Sequence, residues 1–103
     1  MRAERVINES SIIPKKRGNG ILRREVWKDA KGNVTHYNLA YINRELYQRD
    51  NGRVIGYDNS HGEHHRHFKG HIEHVDYISF PDIEARFARE VAALQKGGEK
   101  WKR

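Results

Sequence analysis

Apolar and polar positions alternate along most of the chain, and only its last quarter changes to helical spacing. Tyr37, Leu39 and Tyr41 fall on one face of an extended segment, and Val34, His36, Asn38, Ala40 and Ile42 on the other. A period of two marks a strand, so residues 34–48 are read as one long strand, with Asn43-Arg44-Glu45 the place where it could bend. Over residues 21–28, Leu22 and Val26 share a face opposite Ile21 and Trp27, which predicts a second strand. Val6, Ile7, Ile12 and Ile13 surround a polar middle and predict a weak edge strand over 5–13. Pro14 ends it, because proline cannot donate to a ladder. Lys15-Lys16-Arg17-Gly18-Asn19-Gly20 reads as a basic turn, and Asp29 to Asn33 as another. Asp50-Asn51-Gly52 carries the Asn-Gly signature of a tight hairpin leading into a strand over 53–58. Residues 72–78 can supply a fifth strand.

The period then lengthens. Ile83, Phe87, Val91 and Leu94 recur at helical spacing and predict one apolar stripe on a helix from about Pro81 to Gln95. Ser79 suits the N-cap, Glu84 and Glu90 are expected to face outward, and Lys96-Gly97-Gly98 signals a stop. The expected architecture is α+β: a twisted antiparallel sheet of about five strands with one C-terminal helix packed on one face. A single domain would span residues 1–98, followed by a basic tail over 99–103. One helix covers few of these aromatics, so a homodimer is an expected state.

Composition adds charge to this picture. The 103 residues include 20 Lys and Arg against 14 Asp and Glu, a net charge of +6. That balance favours a polyanion or an acidic protein as partner, although basic residues spread along a chain also serve solubility. With no cysteine, neither a disulfide framework nor a thiolate metal site is available. No apolar run approaches the roughly 18–20 residues of a membrane span. Residues 1–6 lack the apolar core of a signal peptide, so the cytoplasm is the expected compartment.

The candidate chemistry is concentrated. Six of the seven histidines lie between Tyr57 and His74, interleaved with Asp58, Glu63, Arg66, Lys69 and Glu73. Taken as extended chain, Glu63 to Lys69 puts His65, His67 and Lys69 on one face, and His64, Arg66 and Phe68 on the other. Residues two apart on a strand are about 7 Å apart. Two imidazoles at that spacing can flank one phosphorus, one taking a proton and one giving it, while Arg66 or Lys69 neutralises charge on the phosphoryl oxygens. A ribonuclease that needs no metal requires those parts. Asp58 could orient a histidine, and Asn59 could bind a base or hold a turn. The rival reading is a transition-metal site, for zinc or a similar ion, drawn from His61, His64, His65 and His67, with His71 and Asp58 in reserve. The third is a solvated histidine-rich loop.

Tyr57-Asp58-Asn59, then His65-Arg66-His67, then a strand and a Phe80-containing helix start with Phe87 and Val91, resembles the TumE family of small toxins of bacterial and archaeal toxin–antitoxin pairs. The resemblance spans residues 20–96, and its specific part is 57–91. It implies a small cytoplasmic toxin encoded beside a helix-turn-helix antitoxin, and carries over Tyr57, Asp58, Asn59, His65, Arg66 and His67 as site residues. His64, Lys69, His71 and His74 depart from the pattern. Joined to the charge and the histidines, it leads to the expectation of a toxin that cleaves RNA rather than DNA. His65, His67, Arg66 and Asp58 are the expected catalytic set, with Tyr57, Asn59, Lys69 and Arg66 on the nucleic acid and no cofactor. The alternative is a non-catalytic protein that binds nucleic acid or a partner, with or without a histidine-ligated metal.

Overall fold

Turn chemistry divides the sheet. In the computed structural model, which describes residues 2–101 apart from the side chains of His61 and residues 96–101, Pro14 ends the first strand and left-handed residues sit at most of the later reversals. The strands are β1 (Glu4–Ile13), β2 (Gly20–Lys28), β3 (Val34–Ile42), β4 (Arg53–Asp58), β5 (His65–Phe68) and β6 (His71–His74). They lie side by side in chain order, each antiparallel to the next, as an open six-stranded meander with β1 and β6 at its edges. The strand beyond the expected five comes from the histidine segment itself. Lys69 (φ 46°) and Gly70 (φ 81°) reverse the chain between β5 and β6, the double positive φ that a two-residue hairpin turn requires.

Three boundaries differ from the sequence pattern. β3 stops at Ile42 rather than near residue 48, because Asn43 diverts the chain. Its buried amide donates to the Gly18 and Asn19 carbonyls and to the Tyr41 hydroxyl, while its Oδ1 accepts from the Glu45 N–H. Residues 43–52 therefore form one long connection. Asp50, Asn51 and Gly52 do take positive φ, but they close that connection instead of making a two-residue hairpin. β6 ends at His74, after which Val75 turns into the core. The helix α1 (Phe80–Trp101) runs through Gly97-Gly98, where a stop is expected. Glycine weakens a helix by about 1 kcal/mol without forbidding it.

Ser79 Oγ accepts the Asp82 N–H, the N-cap that the sequence signals. The stripe of Ile83, Phe87 and Val91 is buried against Tyr37, Leu39, Tyr41, Ile55 and Tyr57, so α1 covers β3 and β4. Burial of this apolar set is the main stabilising term. Glu84 and Glu90 do not face outward: Glu84 pairs with Arg24, and Glu90 with Arg66 and the Tyr57 hydroxyl. Among the described residues, the opposite face of the sheet carries no helix. Among the described residues, no helix is long and apolar enough to cross a membrane.

Candidate active site on the uncovered sheet face

The last residues of β4 point three ways. Tyr57 goes under α1, Asp58 goes to the uncovered face, and Asn59 leaves the strand sideways towards β3. Register then decides who joins Asp58. Tyr57 pairs with Arg66, Gly56 with His67, and Asp58 with His65. Pairs share a face, so His65 and His67 stand beside Asp58, and Arg66 is on the far side of the sheet.

Arg53 supplies the cation on this face. Strict alternation would place it with Ile55 and Tyr57, under the helix. A bulge prevents that: Tyr41 pairs with Ile55 and Ile42 with Arg53, leaving Val54 as the extra residue. Such a bulge re-aims the side chains before it. Gly56 provides the space. A Cβ there would come within 2.8 Å of the Leu39 carbonyl oxygen and 2.9 Å of Arg53 Cδ. Neither Arg53 nor Gly56 is singled out by the histidine pattern, but a lone glycine inside a strand is a signal of close approach.

The four side chains form one polar cluster. Asp58, 8% exposed, has Oδ2 at 2.9 Å from His67 Nε2 and 3.6 Å from Arg53 Nη1. Its Oδ1 is 3.9 Å from His65 Nδ1 and accepts the Ser60 N–H. Arg53 Nη2 donates to His67 Nδ1 at 3.1 Å, and Nε donates to Asp50 at 2.8 Å. A guanidinium does not give up its proton, so His67 Nδ1 is the acceptor and the neutral ring carries its proton on Nε2. That nitrogen is buried, and its approach to Asp58 is out of line for a hydrogen bond. Burial holds the His67 pKa below the usual range for histidine, and Arg53 lowers it further, with Asp58 opposing. His65 is more open, with Nε2 3.5 Å from Glu63 and its ring centroid 6.4 Å from that of His67. Beside the cluster lies a depression of about 390 Å³ lined by Arg53, Arg23, Asn38, Ala40 and Asp50.

The remaining expected site residues lie elsewhere. Arg66 Nε donates to Glu90 at 2.9 Å and Nη1 to Glu73 at 3.1 Å. The Tyr57 hydroxyl donates to the same Glu90, and burial with this contact pushes its pKa up to about 12. The His-Arg-His triplet is thus split by the sheet, and Arg66 cannot reach a group held between the two histidines. Asn59 accepts from the Tyr37 N–H and donates to the Thr35 carbonyl, both at 3.0 Å, which extends the β3–β4 pairing. Lys69 sits in the β5–β6 turn, its ammonium 5.7 Å from the Phe68 ring. His64 is turned to Tyr37, with Nδ1 2.8 Å from that hydroxyl, and stacks on Tyr77 at 4.0 Å. Burial first, then His74 and His65, lower its pKa. His71 and His74 are exposed on β6. The side chain of His61 lies outside the described residues. Among those described, no group of three His, Asp or Glu forms a metal-holding set. His64, one of the expected ligands, faces away from His65 and His67.

No curated protein and no solved structure matches the chain. A family model described as Toxin TumE matches residues 3–95, almost its whole length. The chain belongs to the TumE family, the toxin component of a toxin–antitoxin system, and an antitoxin is therefore its partner.

Proposed function

We propose that this toxin acts on RNA, cleaving the backbone at the cluster on the uncovered face. The observation that carries the reading is the meeting of two imidazoles, a carboxylate and a guanidinium on one patch of open sheet. In this reading His65 takes the proton of a 2′-hydroxyl, and the freed oxygen attacks the adjacent phosphorus. The bond from phosphorus to the 5′-oxygen breaks, and that oxygen collects a proton from solvent. Arg53 faces the charge that builds on the non-bridging oxygens. Asp58 stabilises the imidazolium formed on His65. His67 is a positioning residue, since both of its nitrogens already face Arg53 and Asp58. Tyr57, Asn59 and Arg66 hold the scaffold. The antitoxin is proposed to be a helix-turn-helix protein encoded nearby, and the compartment the cytoplasm.

Purified protein with EDTA is expected to cut RNA to 2′,3′-cyclic phosphate ends. Arg53→Met should slow cutting by about 10²–10³-fold, the usual cost of one lost transition-state donor. Intact RNA from a preparation whose expression still arrests growth would sink the nuclease reading. A second reading, binding without cleavage, is favoured by the burial of His67, whose Nδ1 is already taken by Arg53. Its signature is salt-sensitive RNA retention with unbroken strands.

A further inference from the structure

A depression larger than the one beside the histidine cluster is also present. It lies on the other side of the sheet, between α1 and the β1–β2 wing. The cavity is about 760 Å³, with Ile13, Leu22 and Leu39 on its sheet side and Ala85, Ala88 and Val91 on its helix side. Ala85 and Ala88 are exposed, and their short side chains let another backbone come close. Apolar walls of this extent suit a side-chain stripe and not a phosphate backbone. The end of the groove beside β1 is basic. Lys15, Lys16 and Arg17 form an exposed turn at the end of β1, and Arg17 lines the groove. Glu84 is the one acid in the lining among the described residues, and it is already paired with Arg24.

We infer that this groove receives an amphipathic segment of the antitoxin, apolar along one stripe and acidic where it meets Lys15-Lys16-Arg17. Charge separates this occupant from a second copy. Another copy brings the same net charge of +6 and the same basic end of the groove against this one, which is repulsive, whereas an acidic segment is complementary. The inference rests on the partner that the family implies and not on the RNA reading. The groove and Asp58 are on opposite sides of the sheet, so substitutions separate them.

The test measures binding of the full chain to the product of the adjacent reading frame at two salt concentrations. Ala88→Arg fills the groove at an exposed position and is expected to weaken binding at least about 30-fold, as loss of a hot spot does. Its circular-dichroism melt and its growth arrest should match the parent. Reversal of Lys15, Lys16 and Arg17 to Glu should weaken binding about tenfold at low salt and less at high salt. Unchanged affinity of Ala88→Arg, or no binding by the parent chain, overturns the inference. So does a toxin dimer in sedimentation that Ala88→Arg splits while antitoxin affinity stays the same. His65→Ala should leave the affinity untouched, so a failed nuclease reading and a failed docking site give different results.

Discussion

Gly56 makes room for Arg53, and Gly56→Ala tests that directly. The new Cβ would stand 2.8 Å from the Leu39 carbonyl oxygen and 2.9 Å from Arg53 Cδ, distances a real Cβ does not tolerate. The carbonyl cannot retreat without loosening the β3–β4 ladder, so Arg53, a flexible chain, is the group that moves first. Overpacking of this kind costs about 1–3 kcal/mol, and the lower chain entropy of alanine in the unfolded state returns about 0.4–1 kcal/mol. The net loss runs from near zero to about 2.6 kcal/mol, or a fall in Tm of up to about 20 °C for a domain of this size. A second effect follows from the site. Once Arg53 is displaced, His67 Nδ1 loses its donor and a neighbouring positive charge, so its pKa should rise towards the ordinary histidine value. Thermal melts and NMR titration of the ring protons read the two effects separately.

A double-mutant cycle sharpens the test. In an Arg53→Ala background the Cδ contact no longer exists, and only the Leu39 contact remains. Gly56→Ala should then cost less than in the parent, by at least about 0.5 kcal/mol of coupling, as neighbouring residues show. Equal costs in both backgrounds would refute the idea that the glycine exists to pass the Arg53 side chain.

Two further outcomes concern stability. His64 and His67 have pKa values lowered by burial in the folded state, so the unfolded chain binds more protons as pH falls below the unperturbed value of about 6.5. Tm should hold from pH 8 to 7, then drop as pH falls from about 6.5 towards the depressed folded values, and His67→Gln should flatten part of that slope in a series of melts. Asn59→Ala leaves the Tyr37 N–H and the Thr35 carbonyl without their partner, and should cost about 1–2 kcal/mol by denaturant titration, with a smaller effect on RNA binding than on stability.

The parts of the fold written locally were legible. The two-residue period of Tyr37, Leu39 and Tyr41 gave the buried face of β3, and the spacing of Ile83, Phe87 and Val91 gave the buried face of α1. Ser79 gave the helix cap. The alternation across His65, Arg66 and His67 correctly assigned them to opposite faces. What escaped depends on partners distant in sequence. Asn43 stops β3 because the Gly18 and Asn19 carbonyls are within reach, which no window around residue 43 displays. Glu90 looks like any outward acid until Arg66 is known to emerge beneath the helix. Arg53 was hidden by the bulge at Val54, since a single extra residue inverts the parity on which face assignments rest.

The sequence from Tyr57 to His67 therefore holds two interleaved sets rather than one motif. Tyr57 and Arg66 meet Glu90 under the helix and tie α1 to β4 and β5. Asp58, His65 and His67 meet Arg53 on the uncovered face. The sets share a stretch of chain but answer to different demands, so substitutions in them should separate. Glu90→Ala leaves the Tyr57 hydroxyl and the Arg66 guanidinium short of a partner. Glu73 and partial solvent access soften the loss, so about 1–3 kcal/mol is expected, less than a fully buried pair would cost. Growth arrest should weaken in Glu90→Ala only to the extent that the folded fraction falls, and lowering the temperature should restore it. Asp58→Asn keeps the size of the side chain and removes the charge that faces His65 and His67. It should abolish arrest at a Tm within a few degrees of the parent, at every temperature below that Tm. If Glu90→Ala abolishes arrest while the protein remains fully folded, Arg66 belongs to the working site, and the division of the motif by the sheet is wrong.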